Sequence, residues 1–270
     1  MKNTILAIVF SLFLAIFAKA QGTISTADKT FISNTLYPAT GLLYSQSEEG
    51  SMQMRCTATA IAEDDSSFQF VTASHCGCVE NNSRNTVSPE KTFFYISPDI
   101  PGNKVYLKAE PLGCGYRTRG DDYFLLKTDK TVKFPIITLG HDPKALDQVI
   151  NVASPLGLGK QVFIGNVSGA SLDRPIHESD IDWEGAITLQ LFGTNGGSSG
   201  SSLVCTEQHA ICGFIVGAIE ETTIVAVPVS RFIKFRDALL GGTYRWYVKD
   251  PDAAPPKPEV IITPLPPKKD

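Results

Sequence analysis

Positive charge is not concentrated anywhere in this sequence. Its 270 residues carry a net charge of −4, and the Lys and Arg residues are scattered rather than gathered into a stripe. That excludes the basic face by which a domain holds nucleic acid or an anionic membrane. Long apolar runs are scarce too. The uninterrupted run Ile5 to Ala18 falls short of the roughly 20 residues that a bilayer-spanning helix requires. Histidine is sparse, and three of the four, His141, His177 and His209, stand in loop-like stretches where exposure is expected.

What stands at the start is a leader. Lys2 precedes the apolar run and Ala18-Lys19-Ala20 ends it as a small-residue cleavage site, so residues 1–20 read as a signal peptide cut after Ala20. The mature chain is then an exported protein, extracellular or periplasmic, with no membrane attachment. In that setting Cys56, Cys76, Cys78, Cys114, Cys205 and Cys212 read as a disulfide set. Residues 21–40 show little periodicity and read as an N-terminal strap or a propeptide.

From Gly41 onward, short runs rich in Val, Ile, Phe and Thr alternate with Gly, Pro, Asn and Asp breaks. Thr57–Ala62, Phe68–Thr72 and Tyr123–Leu126 belong to a first set; Ile136–Leu139, Gln148–Ala153, Gln161–Val167 and Ile211–Ile219 belong to a second. Many short strands at this spacing predict an all-β barrel or sandwich. The Pro- and Asp-containing stretch Gly140–Asp147 is the joint between the sets. Ser230 is placed to cap a helix whose Phe232, Phe235 and Leu239 share one face before Gly241-Gly242. The tail from residue 241 onward becomes proline-rich and reads as extended.

Between two of the apolar runs lies Thr194-Asn-Gly-Gly-Ser-Ser-Gly-Ser-Ser202. Glycines there let the backbone take conformations that a Cβ forbids, and they leave N–H groups free to converge on one spot. Such a loop can hold an oxyanion beside a hydroxyl nucleophile, but the hydroxyl is inert without a base. Among the serines, only Ser199 has glycine both two residues before and one after it. Candidate partners lie upstream: His75 follows the apolar strand ending at Thr72, and Asp121-Asp122 opens the strand Tyr123–Leu126.

Three segments carry a resemblance. Thr72-Ala73-Ser74-His75-Cys76, Asp122-Tyr123-Phe124-Leu125-Leu126-Lys127 and Gly197-Ser198-Ser199-Gly200-Ser201 are similar to the His, Asp and Ser motifs of chymotrypsin-fold, trypsin-like serine proteases. Asn151-Val-Ala-Ser-Pro-Leu-Gly-Leu-Gly159, Gly165-Asn-Val-Ser168 and Ala226-Val-Pro-Val229 resemble stretches of the bacterial HtrA and glutamyl endopeptidase branch. The resemblance covers roughly residues 41–240. It implies two six-stranded antiparallel β-barrels, about 41–133 and 134–229, with the active site in the cleft between them and a closing helix at 230–240. The remaining tail, 241–270, is too short for the peptide-binding domain of HtrA proteins, so a single-domain monomeric protease is expected.

The resemblance also implies roles. Ser199 is the nucleophile, His75 the base and Asp122 the residue that orients it, with the N–H groups of Gly197 and Ser199 as oxyanion hole. Asp122 is preferred over Asp121 because it stands in the family's register; Asp121 is expected to be solvated. Ser198 replaces the Asp by which animal trypsins pair a newly cut N-terminus. The implied substrate is a polypeptide, and no cofactor or metal is required. Thr194, Val216, Gly217 and Ala218 would wall the pocket for the residue before the scissile bond. That pocket has no acid for a Lys or Arg and no histidine for a Glu, so small to medium apolar side chains are expected.

The family joins a cysteine beside its histidine to one on the preceding strand, which implies Cys56–Cys76. Cys205 and Cys212 flank a turn and could pair across it, leaving Cys78 with Cys114. A zinc site of His75, Cys76, Cys78 and Cys114 has suitable ligand types but competes with that pairing. A binding module that keeps the fold without turnover, and an all-β surface adhesin, are the other readings; the three motifs in order argue against both.

Overall fold

A computed structural model describes residues 24–47, 49–81, 86–90, 94–100, 105–172, 184–219 and 223–244. The expected signal peptide and the proline-rich segment lie outside them. Strands dominate, as the sequence indicates, and close into two six-stranded antiparallel barrels. The first runs in the order β1 (Thr40–Gln46), β2 (Met52–Glu63), β3 (Ser67–Thr72), β8 (Phe124–Asp129), β7 (Leu107–Cys114) and β6 (Phe94–Ser97). A two-stranded ribbon of β4 (Cys78–Asn81) and β5 (Thr86–Pro89) stands beside it. The second barrel runs β10 (Gln161–Gly169), β11 (Ile187–Gln190), β14 (Thr223–Pro228), β13 (Ala210–Ile219), β12 (Ser202–Cys205) and β9 (Gln148–Ala153).

Alternation explains the closure. Along these strands Val, Ile, Leu and Phe side chains turn inward, where Phe70, Phe94, Phe124 and Leu126 fill barrel one and Val149, Ile187, Leu189 and Leu203 fill barrel two. Closing a sheet also removes the exposed edges that would otherwise pair with other chains. A third cluster lies between the barrels, where Val71, Tyr123 and Leu125 meet Ile150, Val152, Phe214 and Val227.

Residues 26–39, ahead of β1, are helical although the sequence there shows little periodicity. They form α1 (Thr26–Phe31), a wide π-helical turn at Ile32–Leu36 and one further turn, α2 (Tyr37–Ala39). Ser25 caps α1, accepting from the Asp28 N–H while the Asp28 carboxylate accepts from the Ser25 N–H. Ile32, Leu36 and Ala39 are buried in the cluster between the barrels, so the segment is part of the core. Two polar anchors hold it. His209 Nε2 meets Asp28 Oδ1 at 2.8 Å and its ring stacks on Phe31 with centroids 4.7 Å apart. The Lys160 ammonium donates to the carbonyls of Tyr37, Thr40 and Pro98 at 2.9, 3.0 and 2.8 Å and lies 4.4 Å from the Tyr37 ring centroid. His209 is therefore engaged rather than free, and its partner comes from the far end of the chain.

Other expectations are also corrected. Ile136–Leu139 forms no strand: only Leu139 makes an isolated parallel bridge, to Ile211, because this stretch runs as the connector between closed barrels. The C-terminal helix α3 (Val229–Leu240) has Pro228 as its N-cap, and Ser230 sits inside the first turn. Asp142 caps that turn instead, accepting from the Ser230 N–H at 2.9 Å and its hydroxyl at 2.6 Å. Three disulfides are formed, Cys56–Cys76, Cys78–Cys114 and Cys205–Cys212. Among the described residues no helix is long and apolar enough to cross a membrane.

Candidate active site

β3 ends at Thr72 and the chain tightens into a single 3-10 turn, Ser74–Cys76. That turn points the His75 ring at the mouth of β8, and the Cys56–Cys76 bond pins it to β2. Asp122 stands just before β8 and is 1% exposed. One carboxylate oxygen, Oδ2, lies 2.7 Å from His75 Nδ1; the other accepts from the Ser74 hydroxyl at 2.8 Å and the His75 N–H at 3.0 Å. A buried carboxylate beside Nδ1 fixes the proton there and leaves Nε2 with a free lone pair. Burial works against the Asp122 charge, yet the His75 ring and these hydrogen bonds outweigh it and hold the carboxyl below its ordinary pKa.

Asp121 faces the other way. It accepts from the Tyr244 hydroxyl at 3.0 Å and pairs with Arg231 at 3.3 Å, so it is anchored rather than solvated. Its partners lie on or beyond α3, more than a hundred positions later in the chain, where no local pattern could reveal them.

Barrel two supplies the serine loop. Gly197 and Gly200 have φ of 97° and 80°, a region that L side chains rarely adopt. Both are also pressed on. A Cβ on Gly197 would lie 2.5 Å from the Ser154 carbonyl, and one on Gly200 would lie 2.5 Å from the Ala73 nitrogen. The second contact sets the serine loop directly against the residues leading to His75. Thr57 of β2 fastens the loop across the cleft: its N–H donates to the Ser199 carbonyl at 3.1 Å and its hydroxyl to the Gly197 carbonyl at 2.8 Å. The same hydroxyl accepts from the Ser154 N–H at 3.1 Å.

Within this clamp Ser199 is half-buried, and its neighbours Ser198 and Ser201 are buried. The Ser198 hydroxyl accepts from the Asn195 N–H at 3.2 Å, and the Ser201 hydroxyl donates to the Ser198 carbonyl at 2.6 Å. Those two hydroxyls are occupied with holding the turn. Among the described residues, the N–H groups of Gly197 and Ser199 have no partner within the protein.

A pocket of about 400 Å³ opens beside Ser199. Thr194, Gly217 and Ala218 line it, together with Gly196, Ile215 and Ile224, and none of its lining residues is charged. Val216 is not among them. The pairing of β13 with β14 shifts register between Ile215 and Gly217, which gives Ile215 to the pocket and sends Val216 into the core, 1% exposed.

Cys56, His75 and Cys76 bring three possible metal-ligand atoms within 4.8 Å of one another. Both sulfurs are spent on one disulfide, however, and the thiolates that bind zinc do not exist there.

No protein-family model matches the chain, and no curated protein sequence does. Solved structures do match. The HtrA-type protease AlgW with a decapeptide superposes at a TM-score of 0.62 with 15% identity, over 82% of this chain and 69% of that one. The serine endoprotease from Yersinia pestis gives 0.58 and 20%, over 81% and 68%. AlgW with a tripeptide gives 0.59 and 18%, over 79% and 64%. At such identities the likeness establishes architecture. The chain has the two-barrel fold of HtrA-type, trypsin-like serine proteases.

Proposed function

We propose that the chain is an exported serine endopeptidase that cleaves polypeptides through an acyl-enzyme. The observation that carries this reading is the buried Asp122 carboxylate, 2.7 Å from His75 Nδ1, in a fold whose serine loop presses at Gly200 on Thr72 and Ala73, the residues leading to that histidine. Burying a carboxylate is costly unless it is paired and hydrogen-bonded, and a proton held at Nδ1 leaves the Nε2 lone pair free to accept another.

In this reading Ser199 Oγ attacks the peptide carbonyl while His75 Nε2 takes its proton. The N–H groups of Gly197 and Ser199 receive the oxyanion, where loss of one donor typically costs about 100- to 1,000-fold in rate. His75 then gives its proton to the leaving amine, and a water molecule, activated the same way, releases the acyl group. Asp122 holds the imidazole and stabilises its cation. The uncharged pocket supports small to medium apolar residues before the scissile bond. Export, to the periplasm or the cell exterior, is supported by the leader and by three disulfides. The chain acts as a monomer without cofactor or metal.

A tagged fluorophosphonate, which reacts only with an activated serine, tests the reading. Labelling should map to Ser199 and vanish in Ser199→Ala, while Ser198→Ala keeps most of it. An unlabelled but folded wild-type chain would make this an inactive binding module.

A further inference from the structure

One charged side chain beside the His75–Asp122 pair has no part in the scheme above. Arg117 lies in a 3-10 turn, Arg117–Arg119, between β7 and β8. Its Nε is 3.6 Å from Asp122 Oδ2, the same oxygen that meets His75 Nδ1. That nitrogen is buried, and among the described residues it has no hydrogen-bond partner. The side chain as a whole is 39% exposed, so the guanidinium reaches from solvent to the edge of the carboxylate.

The turn is held in place from several sides. Thr118 donates to Glu80 through its N–H at 3.1 Å and its hydroxyl at 2.5 Å. Arg119 stacks on the Tyr116 ring at 4.3 Å, and Gly120 closes the turn with φ of 74°. Arg117 therefore does not anchor the loop. It is delivered by a loop anchored through other residues.

We propose that Arg117 is a positioning residue that acts through Asp122 to keep His75 unprotonated, and so available as a base, at lower pH than the dyad alone would allow. Two cations share one carboxylate oxygen: the fixed guanidinium and the imidazolium that forms when His75 takes a proton. Arginine stays charged throughout. Its field stabilises the Asp122 carboxylate, and it opposes the second positive charge a few ångströms further on. Among the described residues, the neighbouring charged and titratable groups are engaged with other partners. Arg55, whose Nε donates to the Cys76 carbonyl at 3.2 Å, is neutralised by Glu90 at 2.9 Å. Asp121 is held by Arg231 and Tyr244, and Tyr123 donates its hydroxyl to the Pro228 carbonyl at 3.2 Å. None of these bears on Asp122 Oδ2 as Arg117 does.

The inference takes its meaning from the proposed catalysis, but its test reads the imidazole itself. NMR titration of the histidine ring signals, with His75 assigned by loss of its signal in His75→Ala, gives the His75 midpoint in the wild-type chain, Arg117→Gln and Arg117→Lys. Removing the charge should move the His75 midpoint upward by about half to one pH unit. Lysine should restore most of the wild-type value, and His141 and His209 should not move. An unmoved His75 in Arg117→Gln, or equal shifts in Gln and Lys, overturns the proposal. A salt series on the wild-type chain covers the case of a variant that fails to fold. Screening of the half-exposed guanidinium should raise the His75 midpoint, and a flat response overturns the proposal. Failure of fluorophosphonate labelling would sink the protease reading and leave this measurement standing.

Discussion

At the scale of single residues the proposed catalysis rests on charge more than on shape. Asp122→Asn preserves volume and most contacts, but an amide has no charge to favour Nδ1–H or the imidazolium. We expect a loss of about 10,000-fold in kcat with an unchanged melting temperature to within a few degrees, measured on a peptide substrate and by calorimetry. The His75–Asp122 contact and the tight serine loop were legible because each residue sits in a short motif. Arg117, Asp121 and Val216 were not, for separate reasons. The partner of Arg117 is fixed by how a turn folds back, that of Asp121 by a helix far along the chain, and the direction of Val216 by a register shift that no alternation pattern foretells.

At the scale of elements the instructive part is the stretch before β1. Its capping signal was present in Ser25-Thr26-Ala27-Asp28, yet the helix that follows is short and continues into a π-helical turn, so no 3.6-residue periodicity accumulates. Burial, not propensity, holds it, and the Lys160 ammonium is its main polar strut. Burial lowers the Lys160 pKa to about 8, against the pull of Asp99, while three carbonyls and the Tyr37 ring favour the charged form. Lys160→Met would leave those carbonyls without their donor, a cost of about 2–3 kcal/mol. The urea midpoint should fall accordingly with the slope unchanged, and a midpoint within error of wild type would show the strut to be idle.

At the scale of the whole molecule, function and stability meet at the seam. Short apolar runs with turn residues between them disclosed that the chain is all-β, and the motif resemblance indicated two barrels; the seam between them was not readable, because its contacts join residues far apart in sequence. Thr57 is the clearest case. Its single hydroxyl accepts from Ser154 and donates to Gly197, so β2 of one barrel holds two segments of the other. In Thr57→Val the shape stays, and the buried Ser154 N–H and the half-buried Gly197 carbonyl both lose their mate. Stability should drop by about 2–3 kcal/mol, and Ser199 labelling should slow by a larger factor than Ser198→Ala causes, as timed with the fluorophosphonate. Equal labelling rates in Thr57→Val and wild type would mean that the seam does not position the serine.

The placement of the disulfides has a consequence of another kind. Cys56–Cys76 and Cys78–Cys114 close within the first half of the chain and Cys205–Cys212 within the second, and no cysteine remains free. No covalent tie other than the backbone connector therefore spans the seam, and that connector is exposed at Lys144–Leu146. Severed there, the polypeptide becomes two pieces that each keep their own staples, one bearing His75 and Asp122 and the other Ser199. Under the proposed catalysis neither piece holds a complete site, so activity would require two halves to find each other again.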